Sequence, residues 1–300
     1  MTASAPPVLV MIDRAAAGGP PLAPGETGWR VVDPSEHTIH VTDLGVTRGD
    51  GIFEGLGVSH GSIQALEPHL ARLARSAALL DLPELDLDVI RAACLESARL
   101  HEPAPLLLQK LVVTRGVEGG DGSPTAWVRT ELMPDHDDER VHGIRVVSLD
   151  RGYRHDVAQT SPWLLQGAKT LSYAVNKSVL REAARRGADD VLFVSSDGYA
   201  LEGPSASLIA RLDGVYVTPR TDQGILEGTT QAAAFEILRS LGHEVAEVLL
   251  TMDEVRRADA LWLVSSGRLV APLSSLDGEP VAIDAEVTRQ LADALVDRRS

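Results

Sequence analysis

Of the 28 lysines and arginines in the chain, only Lys110, Lys169 and Lys177 are lysines. A chain that puts arginine almost everywhere it needs positive charge has little general use for lysine. An ammonium group can lose its proton when desolvated and then act as a nucleophile or base, which a guanidinium cannot do. Lys169 stands in Gln166-Gly167-Ala168-Lys169-Thr170-Leu171-Ser172-Tyr173, just before a predicted helix. That setting, after a small-residue approach, invites a Schiff-base lysine. The alternative is a plain surface lysine, which is how Lys177, on the following helix, reads. Downstream, Asp190 to Ser195 predicts a short strand and Ser196-Asp197-Gly198 a turn. Glu202 follows in Ala200-Leu201-Glu202-Gly203-Pro204-Ser205.

Two further stretches have the chemistry of anion sites. In Glu67-Pro68-His69-Leu70-Ala71-Arg72, apolar Leu70, Leu73, Ala77 and Leu80 fall at helical spacing, with Pro68 suited to the first turn. The planar donor set of Arg72 could grip phosphate bidentately; taken alone it also reads as a solvated helix arginine. His69 reads as a packing or capping residue, since no second ligand stands at zinc spacing. In Gly228-Thr229-Thr230, free backbone N–H groups, a positive helix end and two hydroxyls converge before an amphipathic helix. Simple threonine N-capping is the alternative there.

Taken together, Lys169-Thr-Leu-Ser-Tyr173, Asp197-Gly-Tyr-Ala-Leu-Glu202-Gly, His69-x-x-Arg72 and Gly228-Thr-Thr230 resemble the class IV (fold-type IV) pyridoxal-phosphate enzymes. These include branched-chain and D-amino-acid aminotransferases and 4-amino-4-deoxychorismate lyase. The resemblance spans roughly residues 30 to 295, and its motifs look most like the actinobacterial type of aminodeoxychorismate lyase. It implies a two-domain α+β fold, with a smaller N-terminal α+β domain and a larger C-terminal α/β domain whose sheet is barrel-like. It also implies a homodimer, with pyridoxal 5'-phosphate in a cleft between the two domains of each subunit. By the same resemblance Lys169 carries the cofactor and shuttles the proton, and Glu202 pairs with the pyridine nitrogen. Arg72, Gly228, Thr229, Thr230 and Ser266 hold the phosphate, while Tyr173 lies near the cofactor hydroxyl.

The lyase and the transaminases share this lysine and electron sink, so the substrate side must separate them. The Arg-x-His trap that D-amino-acid aminotransferases carry after Thr-Arg-Gly is missing here, where Val117-Glu-Gly-Gly-Asp-Gly122 follows Gly116. The arginine of the branched-chain pattern in the preceding strand is also missing; Gln109 and Lys110 occupy that region. Arg48 stands where branched-chain enzymes have a tyrosine, and an added cation suits a substrate with two carboxylates. By the resemblance Arg48 and Phe53 face the pocket, with Arg115 and Arg268 as further cations for substrate. Phe53-Glu54-Gly55 looks aminotransferase-like. The expectation is a lyase giving 4-aminobenzoate and pyruvate. The alternatives are a class IV aminotransferase for branched-chain or D-amino acids, or a non-catalytic relative. The retained lysine, glutamate and phosphate grips argue against the last.

The bulk properties agree with such an enzyme. At 300 residues there is material for two domains, and 44% hydrophobic with 24% charged residues is ordinary for a globular chain. A formal charge of −15 without a basic run argues against a nucleic-acid surface. The one cysteine, Cys94, sits in an apolar helical pattern and excludes an internal disulfide; it reads as a buried, inert thiol. No apolar run reaches the ~20 residues of a membrane span, and the short run Val8 to Ile12 lacks a basic lead-in, so the expectation is a cytoplasmic protein. The domains are expected at 1–155 and 156–300. In the first, strands are predicted at 8–13, 106–114, 126–132 and 144–149, helices from 67 and over 84–101, and a solvated acidic loop over 135–140. In the second, 208–211 and 215–218 form a hairpin over Asp213-Gly214, and Thr251 to Glu254 is a capping box. A buried strand then ends at the polar turn Ser265-Ser266-Gly267-Arg268. A turn-rich hairpin over 272–280 and a closing helix over 282–298 complete the chain.

Overall fold

The computed structural model describes residues 5–36 and 38–298. They divide into two compact units. One takes in the described residues through Met133 together with Ala168–Tyr173 and Arg298, and the other Pro134–Gly167 with Ala174–Asp297.

The first unit contains β1 (Val8–Ile12), β2 (Trp29–Val32), α1 (Leu44–Thr47), β3 (Gly51–Ser59), β4 (Ser62–Ile63), α2 (Leu66–Leu79), α3 (Leu87–Leu100), β5 (Leu106–Thr114) and β6 (Ala126–Leu132). Its strands form an antiparallel sheet in the order β2-β1-β6-β5-β3-β4. Strand alternation sends Ile52, Leu56 and Val58 of β3 to one face, where α2 packs through Leu66, Leu70, Leu73 and Ala77. The helix predicted from 84 begins at Leu87 because the Asp86 side chain caps it, accepting from the Val89 N–H at 3.2 Å.

The second unit contains α4 (Asp137–His142), β7 (Ile144–Asp150), α5 (Val157–Thr160), α6 (Ala174–Arg185), β8 (Asp190–Val194), β9 (Ser207–Leu212), β10 (Val215–Pro219), α7 (Thr229–Ser240), β11 (Val245–Val248), α8 (Met252–Arg256), β12 (Ala260–Ser265), β13 (Leu269–Leu276), β14 (Glu279–Pro280) and α9 (Ala285–Val296). The sheet runs β11-β10-β9-β12-β13-β7-β8, with β14 paired to β13. It is mixed: β10/β11, β13/β7 and β7/β8 are parallel and the other pairs antiparallel. The Asp213-Gly214 turn has both residues at positive φ, 50° and 83°, as a two-residue hairpin of this kind requires.

Three expectations are corrected. The strand at 144–149 does not complete the N-terminal domain; it lies between β13 and β8, burying Ile144 and Val146 beside Leu192 and Leu263. The units therefore part at Met133/Pro134 instead of at 155/156, and Ala168–Tyr173 returns to the first unit. The acidic stretch 135–140 is not a loop: Asp137, Asp138 and Glu139 open α4, and Arg140 and His142 close it. That charge order complements the helix dipole. In the predicted 272–280 hairpin the strand begins earlier, at Leu269, and the turn is Asp277-Gly278.

Candidate active site

Lys169 is held by backbone. Its N–H donates to the Ser76 hydroxyl at 3.2 Å, and its carbonyl accepts from the Phe53 N–H at 3.0 Å. Leu171 N–H donates to the Gly51 carbonyl at 2.8 Å, and Thr170 bridges Ile52. The segment thus docks as a short extra strand on the start of β3. Gly51 lets it approach: a Cβ there would lie 2.8 Å from the Leu171 side chain. Lys169 Nζ lies 4.5 Å from the centroid of the Phe53 ring, which packs T-shaped with Tyr173, their centroids 5.4 Å apart. The amine, the phenol and the aromatic platform are brought together in one unit.

Beneath Phe53, on the other face of β3, Glu54 is fully buried. Arg72 donates to it through Nε at 2.8 Å and Nη2 at 2.6 Å, and His69 Nδ1 lies 2.7 Å from Oε2. Burial pushes the Glu54 carboxyl up, but the hydrogen bonds from Arg72 and His69 and the charge of Arg72 outweigh it and hold it at about 2. Burial is also the largest influence on His69, and it lowers that pKa against the pull of Glu54. A neutral imidazole facing a carboxylate must donate, so Nδ1 carries the proton. The expected helix arginine is therefore buried, and its Nε/Nη2 edge faces Glu54.

The second unit places the other expected groups. The Glu202 carbonyl accepts from Phe193 N–H at 2.9 Å, and its Oε1 from Leu226 N–H at 3.1 Å. Helix α7 starts at Thr229 with Gly228 as its N-cap, so neither threonine caps it. Both hydroxyl residues stand inside the first turn, buried, and Thr230 Oγ1 lies 3.3 Å from Ser266 Oγ. Gly228 presses against β9: a Cβ would meet Ser207 Oγ at 2.3 Å. The arrangement is an anion cradle of amides and hydroxyls at a helix N-terminus.

The substrate cations separate. Arg115 grips Asp50 (2.6 and 3.3 Å) and donates to the carbonyls of Leu80 and Asp81. Arg268 pairs with buried Asp190 at 2.6 Å and with Glu139 at 2.7 Å. Both are tied to the scaffold, which weakens them as substrate ligands. Arg48, at the C-cap of α1, is exposed, and no acid pairs with it among the described residues. Cys94 is fully buried, and burial pushes its thiol up to about 12. Sequence reasoning missed the partnership of Glu54 with His69 and Arg72. The signal was available, since an acidic residue on the buried face of an alternating strand needs a cation.

Residues 51–276 match the amino-transferase class IV family. The chain belongs to that family. A class IV relative, the bifunctional aminodeoxychorismate lyase / D-amino acid transaminase of Mycobacterium tuberculosis, is 41% identical over 278 residues, 89% of this chain and 96% of that protein. The fold IV-transaminase CpuTA1 of Curtobacterium pusillum superposes with a TM-score of 0.92 at 50% identity, covering 98% of this chain and 100% of that one. A hypothetical aminotransferase from Mycobacterium tuberculosis superposes in its PLP-bound form with a TM-score of 0.87 at 39% identity, over 97% and 99% of the two chains. These likenesses carry the two-domain α+β expectation, and the class IV cofactor is pyridoxal phosphate. The side chains fit it: an amine for its aldehyde, a carboxylate for its ring nitrogen, and an amide-hydroxyl cradle for its phosphate. As a class IV chain this is an enzyme. No helix among the described residues is long and apolar enough to cross a membrane.

Proposed function

We propose that this class IV enzyme is a 4-amino-4-deoxychorismate lyase, releasing 4-aminobenzoate and pyruvate. The observation that carries this reading is the 41% identity, over nearly the whole of both chains, to the bifunctional lyase / D-amino acid transaminase. When bound, pyridoxal phosphate supplies an electron sink for the charge left by loss of a proton from the carbon bearing the amine. Lys169 would hold the cofactor through Nζ, and the same amine would carry that proton. Glu202 would pair with the ring nitrogen and keep it protonated; the bond from the Leu226 N–H holds the carboxylate. Arg72, Thr229, Thr230, Ser266 and the Gly228 backbone take the phosphate. Tyr173 would tune the proton of the cofactor hydroxyl. Loss of the enolpyruvyl group aromatises the ring, which drives the cleavage.

A second reading is transamination of D-amino or branched-chain amino acids, which would call on the same lysine and electron sink. It is favoured by the 50% identity to a fold IV-transaminase. Incubation with aminodeoxychorismate, following 4-aminobenzoate and pyruvate, tests the first reading. A panel of D- and L-amino acids with 2-oxoglutarate tests the second. Good transamination with no 4-aminobenzoate would sink the lyase assignment. We further propose a cytoplasmic homodimer; a monomer in sedimentation at micromolar concentration would contradict it.

A further inference from the structure

Strand β7 ends at Asp150, and the chain turns at once beside β8. The Asp150 carboxylate accepts from the Gly152 N–H at 2.7 Å, and Gly152 takes a φ of 89°, which glycine adopts without strain. The turn is tied to the end of β8 on both sides. Arg151 N–H donates to the Val194 carbonyl and Ser196 N–H to the Tyr153 carbonyl, each at 2.8 Å. Arg151 and Tyr153 are thereby brought together. The guanidinium lies 4.5 Å from the centroid of the Phe193 ring and 5.6 Å from that of Tyr153, and its Nε donates to the Tyr153 hydroxyl at 3.0 Å. Among the described residues no acid forms an ion pair with Arg151. A half-buried cation held among rings in this way needs an acid whose charge it can serve.

Two lines of contact lead from this pair to Glu202. Phe193 N–H donates to the Glu202 carbonyl and Leu201 N–H to the Phe193 carbonyl, each at 2.9 Å. The ring against Arg151 therefore belongs to the residue that pins the Glu202 backbone. Tyr153 in turn donates to Gln166 Oε1 at 2.5 Å, and Gln166 packs on Gly224, where a Cβ would lie 2.9 Å from its side chain. Gly224 leads through Ile225 to Leu226, whose N–H donates to the Glu202 carboxylate at 3.1 Å. Tyr153 packs against the apolar cluster that contains Phe193, Leu201 and Ile225. The charges are linked as well: burial pushes the Tyr153 phenol up, Arg151 pulls it down, and the Glu202 carboxylate pushes it up. The phenol lies in the field of both the cation and the carboxylate.

We propose that Arg151 and Tyr153 are positioning residues for Glu202: Arg151 supplies the countercharge that favours its carboxylate form, and Tyr153 props the segment whose amide holds that carboxylate. This rests on the reading of Glu202 as the partner of the cofactor ring nitrogen. A cation nearby favours the ionised form of an acid, and an ionised Glu202 holds a proton on the ring nitrogen where a neutral one does not. The strength of the electron sink is thus set in part by two residues that act on it only through Glu202.

The test is nitrogen NMR of the holoenzyme loaded with pyridoxal phosphate isotopically labelled at the ring nitrogen, whose resonance reports the proton there. The phosphorus resonance of the phosphate is recorded alongside. Glu202→Gln is expected to move the nitrogen resonance to the unprotonated position. Arg151→Gln keeps a planar amide over Phe193 without the charge, and Tyr153→Phe keeps the ring without the hydroxyl. Each should move the resonance part of the way in the same direction, with the phosphorus resonance unchanged. Arg151→Lys keeps the charge and should stay near wild type. If Arg151→Gln does not fold, Tyr153→Phe decides. A wild-type nitrogen resonance in Arg151→Gln or Tyr153→Phe, while Glu202→Gln shifts, would overturn the assignment and leave the role of Glu202 standing. So would Arg151→Lys shifting as far as Arg151→Gln, or a phosphorus resonance that moves in step with the nitrogen, the sign of a cofactor loosened as a whole. No shift in Glu202→Gln would remove Glu202 itself from the ring nitrogen, and this inference with it.

Discussion

Glu54 clamps Arg72 at two points, Nε to Oε1 at 2.8 Å and Nη2 to Oε2 at 2.6 Å, and both side chains are buried. The pair fixes the plane of the guanidinium and the direction of its outer edge. A helix arginine left to solvent would sample many rotamers; this one is held in a single orientation.

Glu54→Gln keeps the shape and removes the charge that Arg72 faces. Breaking a buried pair from one side costs about 3–5 kcal/mol, and urea unfolding of the two proteins should show a loss of that order at neutral pH. Cofactor retention in dialysis should fall with it. The folded carboxyl lies at about 2, below its ordinary value of 4.5. Its contribution is therefore complete above about 4.5 and disappears as pH falls through 2. The gap between wild type and Glu54→Gln should close over that interval; a gap independent of pH would show that the charge is not what stabilises.

Gly228 is glycine for space, since its φ of −77° suits any residue. Gly228→Ala drives a methyl group to 2.3 Å from Ser207 Oγ, so the start of α7 must move away from β9. Overpacking of this kind costs about 1–3 kcal/mol. The expected outcome is weaker pyridoxal-phosphate binding by fluorescence titration. Adding Ser207→Ala removes the clashing oxygen and should recover much of it. A double variant no better than the single one would place the fault elsewhere.

Lys169→Ala should abolish turnover and the borohydride-reducible attachment of cofactor to the chain. Lys177→Ala, exposed on α6, should leave both intact. Peptide mapping after reduction checks this directly, and cofactor found on Lys177 or Lys110 would remove Lys169 from its role.

Much of the candidate site was legible because its groups sit at element ends with local signatures. The α7 start, the Asp213-Gly214 turn and the Thr251–Glu254 capping box are set by neighbours within a few residues. What was not legible was long-range. Nothing local in Ile144–Asp150 tells that it runs parallel to β8 and β13 instead of joining the first sheet. Nothing local in Ala168–Tyr173 tells that it docks on β3. Arg115 and Arg268 looked like substrate cations because their acids, Asp50 and Asp190, lie 65 and 78 residues away in sequence.

Arg48 decides most directly between cleavage and transamination. Asp50, two positions on, does not hold Arg48. Asp50 is instead engaged by Arg115, in side chain and backbone alike. Arg48 sits at the end of α1 before Gly49, whose φ of 68° turns the chain into β3 and toward Phe53. An exposed guanidinium there suits the ring or enolpyruvyl carboxylate of aminodeoxychorismate. Arg48→Gln is expected to leave cofactor attachment intact and to lower kcat/KM for aminodeoxychorismate about tenfold or more, at least ~1.4 kcal/mol of transition-state binding. Transamination of D-alanine, which has a single carboxylate, should fall less. Full-rate cleavage by Arg48→Gln would take Arg48 out of the substrate site, and an equal loss with D-alanine would make its role general rather than selective for the dicarboxylic substrate.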